Sequence, residues 1–264
     1  MAGSGLWPED VARRLTTDWA GRELHCLDEV DSTNLYLKAL GGRGAPQGCT
    51  AIAGHQTAGR GRLARRWEAA AGQALLMSVL LRLDGVPAER LPTLVLATAL
   101  AVSDACRSLG VDVGIKWPND LVWGGRKLCG MLLELSFGPG GPFAVAGIGV
   151  NVAGHPRGEV HAASLEEAAG RSIDRAVLAA AVLNALEVRF DRWRDAGWAA
   201  LAGEYAARSA TLGREVRVIG AQEEFQARAV GLRDDGALIV ERPNGAIEHV
   251  QAGDVSVRGT MGYV

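Results

Sequence analysis

Two of the three lysines in this chain lie close together in sequence. Lys116 opens the segment Lys-Trp-Pro-Asn-Asp (116–120), and Lys127 belongs to Arg-Lys-Leu-Cys-Gly (126–130). Apart from Lys38, every other lysine or arginine in the chain is an arginine. A lysine ammonium is a compact charge that can approach a developing anion, whereas arginine presents a planar fork. The block therefore indicates a site that handles a carboxylate or a phosphate, unless the pair arose by chance in an arginine-biased composition.

A second cationic segment precedes this block. Residues 59–66 combine two glycines, Gly59 and Gly61, with four arginines at positions 60, 62, 65 and 66. Glycine lets the backbone approach a ligand closely, and arginine binds phosphate oxygens through paired donors. The spacing matches neither a Walker loop nor a dinucleotide-binding fingerprint. The segment indicates an anionic ligand, with a solvated basic loop as the alternative.

Other polar residues end or occupy apparent strands. Asn119 and Asp120 follow a proline, and Asp120 offers a carboxylate for a divalent cation or a ribose, or alternatively for a turn. Gly147 and Gly149 precede Asn151 in a buried strand and allow close approach of another group, or simply tight packing. The chain has no HExxH or GxSxG motif, and its four cysteines show no CxxC or other metal-ligand spacing. These absences argue against a metallohydrolase or a serine hydrolase.

Composition limits the remaining classes of function. The 264 residues suffice for one large and one small domain, and 48% hydrophobic with 22% charged residues is ordinary for a globular protein. A net charge of −2 argues against a general nucleic-acid coat. The N-terminus shows no secretory signal, and the longest apolar segment, 91–102, is too short to span a bilayer. We therefore expect a cytoplasmic protein with reduced thiols that binds neither DNA nor a membrane.

Periodicity predicts alternating strands and helices over most of the chain. We expect a helix after the Asp-Ser-Thr-Asn segment at 31–34, a buried helix over 91–109, and a helix over 174–196 preceded by a capping box at Ser164 and Glu167. We expect strands at 50–54, 74–81, 111–116, 130–135 and 144–151, with a turn at 124–125. From about residue 211 the pattern becomes short alternating strands at 215–219, 225–232, 237–240 and 247–250. This change predicts two domains, 1–210 and 211–264.

Taken together, these segments resemble the biotin protein ligase family. The matching elements occur in the family's order over roughly residues 25–155, and the small C-terminal β-domain agrees with it. They are Asp31 to Asn34, Gln56 with the Gly-Arg loop and Trp67, the two lysine segments, and 147–151. Leu63 and Ala64 stand where relatives often carry Arg or Gly. About thirty residues precede Ser32, which is short for the winged-helix DNA-binding domain of some relatives. The resemblance is to the monofunctional enzyme.

The resemblance implies a fold and a reaction. The fold is α/β (α+β), a mixed sheet flanked by helices like that of class II aminoacyl-tRNA synthetases, with a small C-terminal SH3-like β-barrel. The reaction uses biotin and ATP with Mg²⁺ to form biotinyl-5′-adenylate and pyrophosphate. Biotin then passes to a lysine of the biotin carboxyl carrier domain of an acyl-CoA or pyruvate carboxylase, and AMP leaves.

The resemblance also implies roles for residues. Lys127, Lys116 and Arg62 are the catalytic candidates: Lys127 holds the biotin carboxylate and the α-phosphate, Lys116 supports the phosphates, and Arg62 with Arg60 closes over the intermediate. Asp120 is the candidate for Mg²⁺. The full binding set is Ser32, Thr33, Asn34, Gln56, Gly59, Arg60, Gly61, Arg62, Arg65, Trp67, Lys116, Asn119, Asp120, Lys127, Gly130 and Asn151. The first four supply neutral hydrogen bonds to the ureido ring, Trp67 an apolar wall, and Asn151 a contact to the adenine edge.

Several alternatives stay open at this stage. A lipoate ligase shares the fold and the adenylate chemistry, although the Ser32 to Asn34 cluster and the Arg-rich loop favour biotin. A regulator that binds biotinyl-adenylate is the non-enzymatic alternative. The base for biotin transfer is either solvent or Asp120, and the chain is either a monomer or a weak homodimer. We expect segments 59–66 and 153–163 to be disordered without ligand, because both are polar or Gly-rich.

Overall fold

The computed structural model describes residues 8–155, 160–220, 223–252, 256–259 and 263–264. The N-terminal part of the chain, up to Arg208, forms a mixed sheet with helices on both faces. Its strands are β1 Leu24–Val30, β2 Thr50–Gln56, β3 Ala74–Arg82, β4 Gly114–Lys116, β5 Asp120–Trp123, β6 Arg126–Gly138 and β7 Gly141–Asn151. Its helices are α1 Pro8–Ala12, α2 Thr33–Gly41, α3 Leu94–Ser108, α4 Leu165–Ala169, α5 Arg175–Ala196 and α6 Ala199–Arg208.

The seven strands follow the order β1-β2-β3-β7-β6-β5-β4. β1 and β2 run parallel, and each of the other neighbouring pairs is antiparallel. Strands β3 and β7 are almost continuously apolar, as expected of central strands that are covered on both faces. The predicted mixed sheet flanked by helices is confirmed.

Side chains of β3 divide between the two faces of this sheet. Met77 and Val79 belong to the main core with α3 and α5, whereas Leu80 packs with Leu37 of α2 on the other face. Ser78 shares the α2 face, because successive strand residues alternate. Ser78 therefore faces α2, where its hydroxyl contacts Thr33 and Asn34.

Most predicted elements exist with shifted bounds. The helix expected over 91–109 begins at Leu94, and residues Ala88–Thr93, with Pro92 among them, form a 3₁₀ helix. Proline lacks the N–H that an α-helix interior needs, so it stands before the α-helical segment. The strand expected at 130–135 begins at Arg126, so Lys127 lies in a strand. The Ser164 cap is confirmed by its acceptance of a hydrogen bond from Glu167 N. Helices α1 and α6, strand β5 and the last strand were not predicted.

The C-terminal strands form an open antiparallel sheet. They are β8 Glu215–Ile219, β9 Glu224–Leu232, β10 Leu238–Glu241, β11 Ile247–Val250 and β12 Ser256–Gly259, in the order β11-β10-β9-β8-β12. The expectation of a closed SH3-like barrel is wrong for the described strands. Alternation shows which face a strand buries but not whether the two edges meet. The apolar face of this sheet is buried within the main core cluster of the molecule.

Trp117 joins this sheet to the rest of the molecule. Its indole Nε1 donates to Gly236 O at 3.0 Å, and its backbone N donates to Thr211 Oγ1 at 3.0 Å. The tryptophan of the first lysine segment is thus fully buried between the two sheets. Among the described helices, none has the length and apolar character needed to cross a membrane.

Candidate active site

Two successive hairpins bring the lysine segments together. Lys116 on β4 pairs with Asp120 on β5, and Asp120 pairs with Gly130 on β6. The turn predicted at 124–125 is confirmed, with φ of 56° at Gly124 and 74° at Gly125, and it joins β5 to β6. Both values lie in the left-handed region that glycine adopts at little cost. Local strand pairing therefore explains why both lysines reach one carboxylate.

Asp120 is the charge partner of both lysines. Its Oδ1 lies 2.8 Å from Lys127 Nζ. Burial alone would raise the pKa of this carboxyl, but the charges of Lys127 and Lys116 hold it below its ordinary value. The same burial lowers the pKa of Lys116 to about 7, against the opposing attraction of Asp120. Lys116 is 4% exposed, so its ammonium depends on nearby anions for its charge.

The backbone of Lys127 is held by the segment that follows β7. Lys127 N donates to His161 O at 2.6 Å, and Ala163 N donates to Lys127 O at 2.8 Å. These two bonds form an isolated parallel bridge at the end of the 153–163 loop. Part of that loop, 156–159, is outside the described residues, and its ligand-dependent order stays a prediction.

A neutral polar cluster lies at the N-terminus of α2. Gln56 Oε1 accepts from Thr33 N at 2.8 Å and from Thr33 Oγ1 at 3.0 Å. Ser78 Oγ lies 2.7 Å from Thr33 Oγ1 and 2.6 Å from Asn34 Oδ1. The structure thus brings together the predicted Ser32, Thr33, Asn34 and Gln56, and adds Ser78 to them. Such a set suits an uncharged ligand with both donors and acceptors.

Glu134 of β6 connects this cluster to the basic loop. Its Oε2 accepts from Asn34 Nδ2 at 2.9 Å, and its Oε1 lies 3.1 Å from Arg60 Nη1. Sequence analysis missed both Ser78 and Glu134. Ser78 stands inside a continuous apolar run, and that polar interruption was the one signal that marked it.

Trp67 lies against two glycines of the sheet, and Asn34 lies against a third. A Cβ on Gly149 would meet the indole ring at 2.6 Å, and a Cβ on Gly130 would meet it at 2.9 Å. A Cβ on Gly147 would meet Asn34 Oδ1 at 2.2 Å. The glycines predicted to allow close approach therefore make room for Trp67 and Asn34, and these two side chains line the site. The indole Nε1 of Trp67 is buried and has no hydrogen-bond partner among the described residues.

The basic segment 59–66 forms a small hairpin. Arg60 and Arg66 pair as an antiparallel bridge, and Gly61 N donates to Arg65 O at 2.8 Å. At the tip of the hairpin, Leu63 has φ of 54° and Ala64 has φ of 57°. These values lie in the left-handed region, which glycine and asparagine adopt more often than other residues do. Ordering of this loop by ligand stays a prediction.

Arg62 points inward from this hairpin. Its Nη1 donates to Asn119 Oδ1 at 2.9 Å, and its Nη2 donates to Ala252 O. Burial lowers the pKa of Arg62, while Asp120 acts in the opposite direction. Asn119 Nδ2 donates to Met131 O at 2.7 Å, so both ends of the Asn119 amide are engaged within the protein.

Two compartments meet at Lys127. The first is open to solvent, has a volume of about 920 Å³ with its open part included, and is lined by the neutral cluster, the basic hairpin and the lysine–carboxylate group. The second, about 990 Å³, is lined by Asn151, His161, Arg66 and other residues. The residues that line both compartments are Lys127, Trp67, Arg65, Arg66 and Arg258. Asn151 Nδ2 donates to Ala163 O at 3.1 Å, and its buried Oδ1 has no partner among the described residues.

Comparisons with known proteins agree with this arrangement. Residues 26–152 match the model of the biotin/lipoate A/B protein ligase family, and residues 211–258 match the biotin protein ligase C-terminal domain. The biotin–[acetyl-CoA-carboxylase] ligase of Mycobacterium tuberculosis is 38% identical over 89% of this chain and 88% of its own length. The chain belongs to the biotin protein ligase family.

Further relatives cover most of this ligase. The bifunctional ligase/repressor BirA of Bacillus subtilis is 32% identical over 96% of this chain and 79% of its own length. The solved biotin protein ligase of Aquifex aeolicus in complex with biotin and ATP superposes with a TM-score of 0.79 at 28% identity. That match covers 90% of this chain and 100% of the other. The resemblance drawn from the motifs is confirmed.

The C-terminal part of the ligase contributes two residues to the site that the motifs did not predict. Tyr263 OH donates to Asp120 Oδ2, and the ammonium of Lys116 lies 3.8 Å from the centre of the Tyr263 ring. The guanidinium carbon of Arg258 lies 4.6 Å from the same ring. Burial raises the pKa of the Tyr263 phenol, so its hydroxyl stays protonated and able to donate. No local pattern in the sequence marks either residue.

Proposed function

We propose that this chain is a biotin–[acetyl-CoA-carboxylase] ligase. It activates biotin with ATP to biotinyl-5′-adenylate and transfers biotin to a lysine of a carboxylase carrier domain, with release of pyrophosphate and then AMP. The named relatives and the related structure with biotin and ATP support this activity. The residue roles below are argued from the geometry.

The observation that carries the proposal is the place of Lys127 between the two compartments. Biotin binds with its ureido ring toward the neutral cluster, and its carboxylate reaches Lys127. ATP binds from the second compartment and presents its α-phosphate to the same ammonium. Attack of one anion on the other needs a fixed cation at their meeting point. The carboxylate oxygen bonds to the α-phosphorus as the bond to the pyrophosphate leaving group breaks.

Neutral groups suit the ureido end of biotin. Ser32, Thr33 and Gln56 offer hydroxyl, backbone and amide groups, and Ser78 and Asn34 complete the set. The ureido ring carries no charge. A charged side chain buried against it would therefore lose its hydration without gaining an ion pair. Trp67 gives the apolar wall beside the chain that ends in the carboxylate.

Arg62 and Arg60 close over the bound intermediate. A hydrogen bond to Asn119 holds Arg62 close to Asp120. An ion pair with Glu134 holds Arg60. The hairpin that carries them shields the mixed anhydride from water once both substrates are bound. We assign Asn119 to positioning of Arg62, because its amide contacts Arg62 and Met131. Gly59 and Gly61 shape the hairpin, and Arg65 adds positive charge at its rim.

The nucleotide end uses Lys116, Asp120 and Asn151. Lys116 supports the phosphates, and Asn151 Oδ1, which has no partner among the described residues, accepts from the adenine amino group. Asp120 fits Mg²⁺, because Mg²⁺ typically takes one or two carboxylates together with substrate phosphates. Its carboxylate is ionised and lies beside the phosphate-binding lysines. When bound, Mg²⁺ supplies further neutralisation of phosphate charge.

The lysine of the carrier domain attacks the biotinyl carbonyl, and AMP leaves. Of the two bases left open by the sequence, we favour solvent. Lys127 and Lys116 hold the pKa of Asp120 low, which makes its carboxylate a weak proton acceptor. Lys127 instead stays near the phosphate and stabilises the departing AMP.

We further propose the cellular setting of this reaction. The acceptor is the carrier domain of an acyl-CoA or pyruvate carboxylase, and the enzyme acts in the cytoplasm as a monomer or weak homodimer. Residues 1–210 form the biotin- and ATP-binding unit and 211–264 the C-terminal unit. The buried Trp117 contacts between them support joint action at the site.

A transfer assay tests this function. The full chain is incubated with MgATP, an isolated carrier domain, and either biotin or lipoate, and the acceptor mass is measured. We expect one biotin per acceptor and none when the acceptor lysine is replaced by arginine. Lipoate should give no product at equal concentration. Modification by lipoate but not by biotin would overturn the proposal.

A further inference from the structure

A second polar cluster lies at the opposite edge of the main sheet from the lysine segments. Glu23 Oε1 is 3.2 Å from His25 Nε2 and 3.3 Å from Cys49 Sγ. The ligand atoms of all three side chains lie within 4.8 Å of one another. None of these residues contributes to the biotin or nucleotide compartment described above.

Strand pairing places these three side chains on one surface. β1 and β2 run parallel with Leu24 opposite Thr50, so Glu23 and Cys49 precede paired residues. His25 lies two residues beyond Glu23 and therefore faces the same side of the strand. Thr50 N donates to Glu23 O at 2.8 Å, which fixes the start of both strands. The cluster is thus built on backbone that the sheet already holds.

The second nitrogen of His25 also has a partner. Tyr36 OH on α2 lies 3.2 Å from His25 Nδ1, and the two rings meet edge to face with centroids 5.6 Å apart. Histidine ligands of metals typically use one ring nitrogen for the metal and the other for an orienting hydrogen bond. Nε2 of His25 faces Glu23 and is the nitrogen available for a metal.

We propose that Glu23, His25 and Cys49 form a Zn²⁺ site. Thiolate, imidazole and carboxylate together are a ligand set that zinc accepts, at bond lengths of about 2.0 to 2.3 Å. Tetrahedral ligands at those lengths lie about 3.5 Å apart, close to the two distances measured here. Zn²⁺ displaces the Cys49 thiol proton to solvent, Tyr36 accepts from His25 Nδ1–H, and water takes the fourth position.

The zinc site connects the starts of strands β1 and β2 to helix α2, which carries Thr33 and Asn34 of the biotin compartment. Glu23 and Cys49 precede β1 and β2, and Tyr36 lies on α2 a few residues after Thr33 and Asn34. The site is half open, because Glu23 and His25 retain side-chain exposures of 45% and 30%. Zinc can therefore reach Glu23 and His25 from solvent, and its role is to stabilise this edge.

Cobalt substitution tests the proposal without any measurement of ligase activity. The full chain, reduced and stripped of metal with a chelator, is titrated with Co²⁺. We expect saturation at about one Co²⁺ per chain, a cobalt–thiolate charge-transfer band in the near ultraviolet, and displacement by Zn²⁺. Thermal unfolding should shift to a higher midpoint with Zn²⁺.

Cysteine variants separate this site from adventitious binding. Cys49→Ser should abolish the thiolate band, and Cys26→Ser, on the same strand as His25 but outside the cluster, should keep it. Since Cys49 is fully buried, Glu23→Gln serves as a milder variant and should weaken Co²⁺ binding at least about tenfold. No thiolate band in the unmodified chain, or a band that survives Cys49→Ser, would overturn the proposal.

Discussion

Lys127 Nζ lies 2.8 Å from Asp120 Oδ1 across the hairpin that joins β5 and β6. This ion pair holds the ammonium at the junction of the two compartments. Replacement of Asp120 by asparagine keeps the shape but removes the charge that orients Lys127. We expect adenylate formation to fall by about 10- to 100-fold, the loss typical of a misplaced catalytic group.

The two half-reactions can be measured separately in this Asp120→Asn variant. Because Asp120 is a weak base in this setting, transfer from preformed biotinyl-adenylate should fall far less than adenylate formation. Single-turnover transfer with purified adenylate measures this step. A transfer rate that falls as steeply as adenylation would return Asp120 to the role of general base.

Lys116 should take up a proton when ATP binds above neutral pH. Burial lowers its pKa to about 7, so at pH 8 it is mostly neutral before ATP binds. The phosphates favour the ammonium and raise the pKa again. We expect uptake of about one proton at pH 8 and much less at pH 6, where the lysine is already charged.

Calorimetry in buffers of different ionisation enthalpy measures this uptake. The matched variant is Lys116→Arg, since arginine keeps its charge at both pH values. That variant should bind ATP at pH 8 with no dependence on the buffer. Equal uptake by Lys116→Arg would show that another group titrates.

Tyr263 should compete with the nucleotide. Its hydroxyl binds Asp120 and its ring covers the ammonium of Lys116, the two groups assigned to Mg²⁺ and phosphate. Tyr263→Phe removes the hydrogen bond alone, and Tyr263→Ala also removes the ring. We expect KM for ATP to fall about three- to tenfold, with the larger fall in the alanine variant.

Steady-state kinetics at saturating biotin checks this prediction, with KM for biotin as the internal control. The latter should not change, because Tyr263 does not line the biotin compartment. A rise in KM for ATP would instead make Tyr263 a ligand of the nucleotide.

Gly147 should be needed for tight binding of biotin. An added Cβ would lie 2.2 Å from Asn34 Oδ1 and push that side chain out of the neutral cluster. Overpacking of this kind costs about 1–3 kcal/mol. We expect Gly147→Ala to raise KM for biotin by about tenfold or more, with a smaller change in KM for ATP.

Gly203→Ala on α6 is the matched control. A Cβ there meets nothing within 4 Å, and alanine favours a helix, so both KM values should remain unchanged. Circular dichroism confirms that both variants fold. An unaltered KM for biotin in Gly147→Ala would contradict the assignment of Asn34 to the biotin site.

The sequence predicted the parts of this site that strand pairing brings together locally. Lys116, Asp120 and Lys127 are joined by two hairpins, and Gly124 with Gly125 marks the tighter turn. Ser78 and Glu134 were missed, because their partners Asn34 and Arg60 lie far away in sequence and belong to other elements. Tyr263 and Arg258 meet Lys116 across the interface of the two sheets, which no periodicity encodes. Similarly, alternation predicted the C-terminal strands but not that their sheet stays open.

ATP–pyrophosphate exchange with biotin tests the central claim most directly, with the unmodified chain, Lys127→Ala and Lys38→Ala measured in parallel. Lys38 is the one lysine outside the site, on α2, and so controls for loss of an ammonium elsewhere. We expect biotin-dependent exchange that persists in Lys38→Ala and falls at least about 100-fold in Lys127→Ala. Exchange that survives in Lys127→Ala would contradict the place of this lysine at the junction of the two substrates.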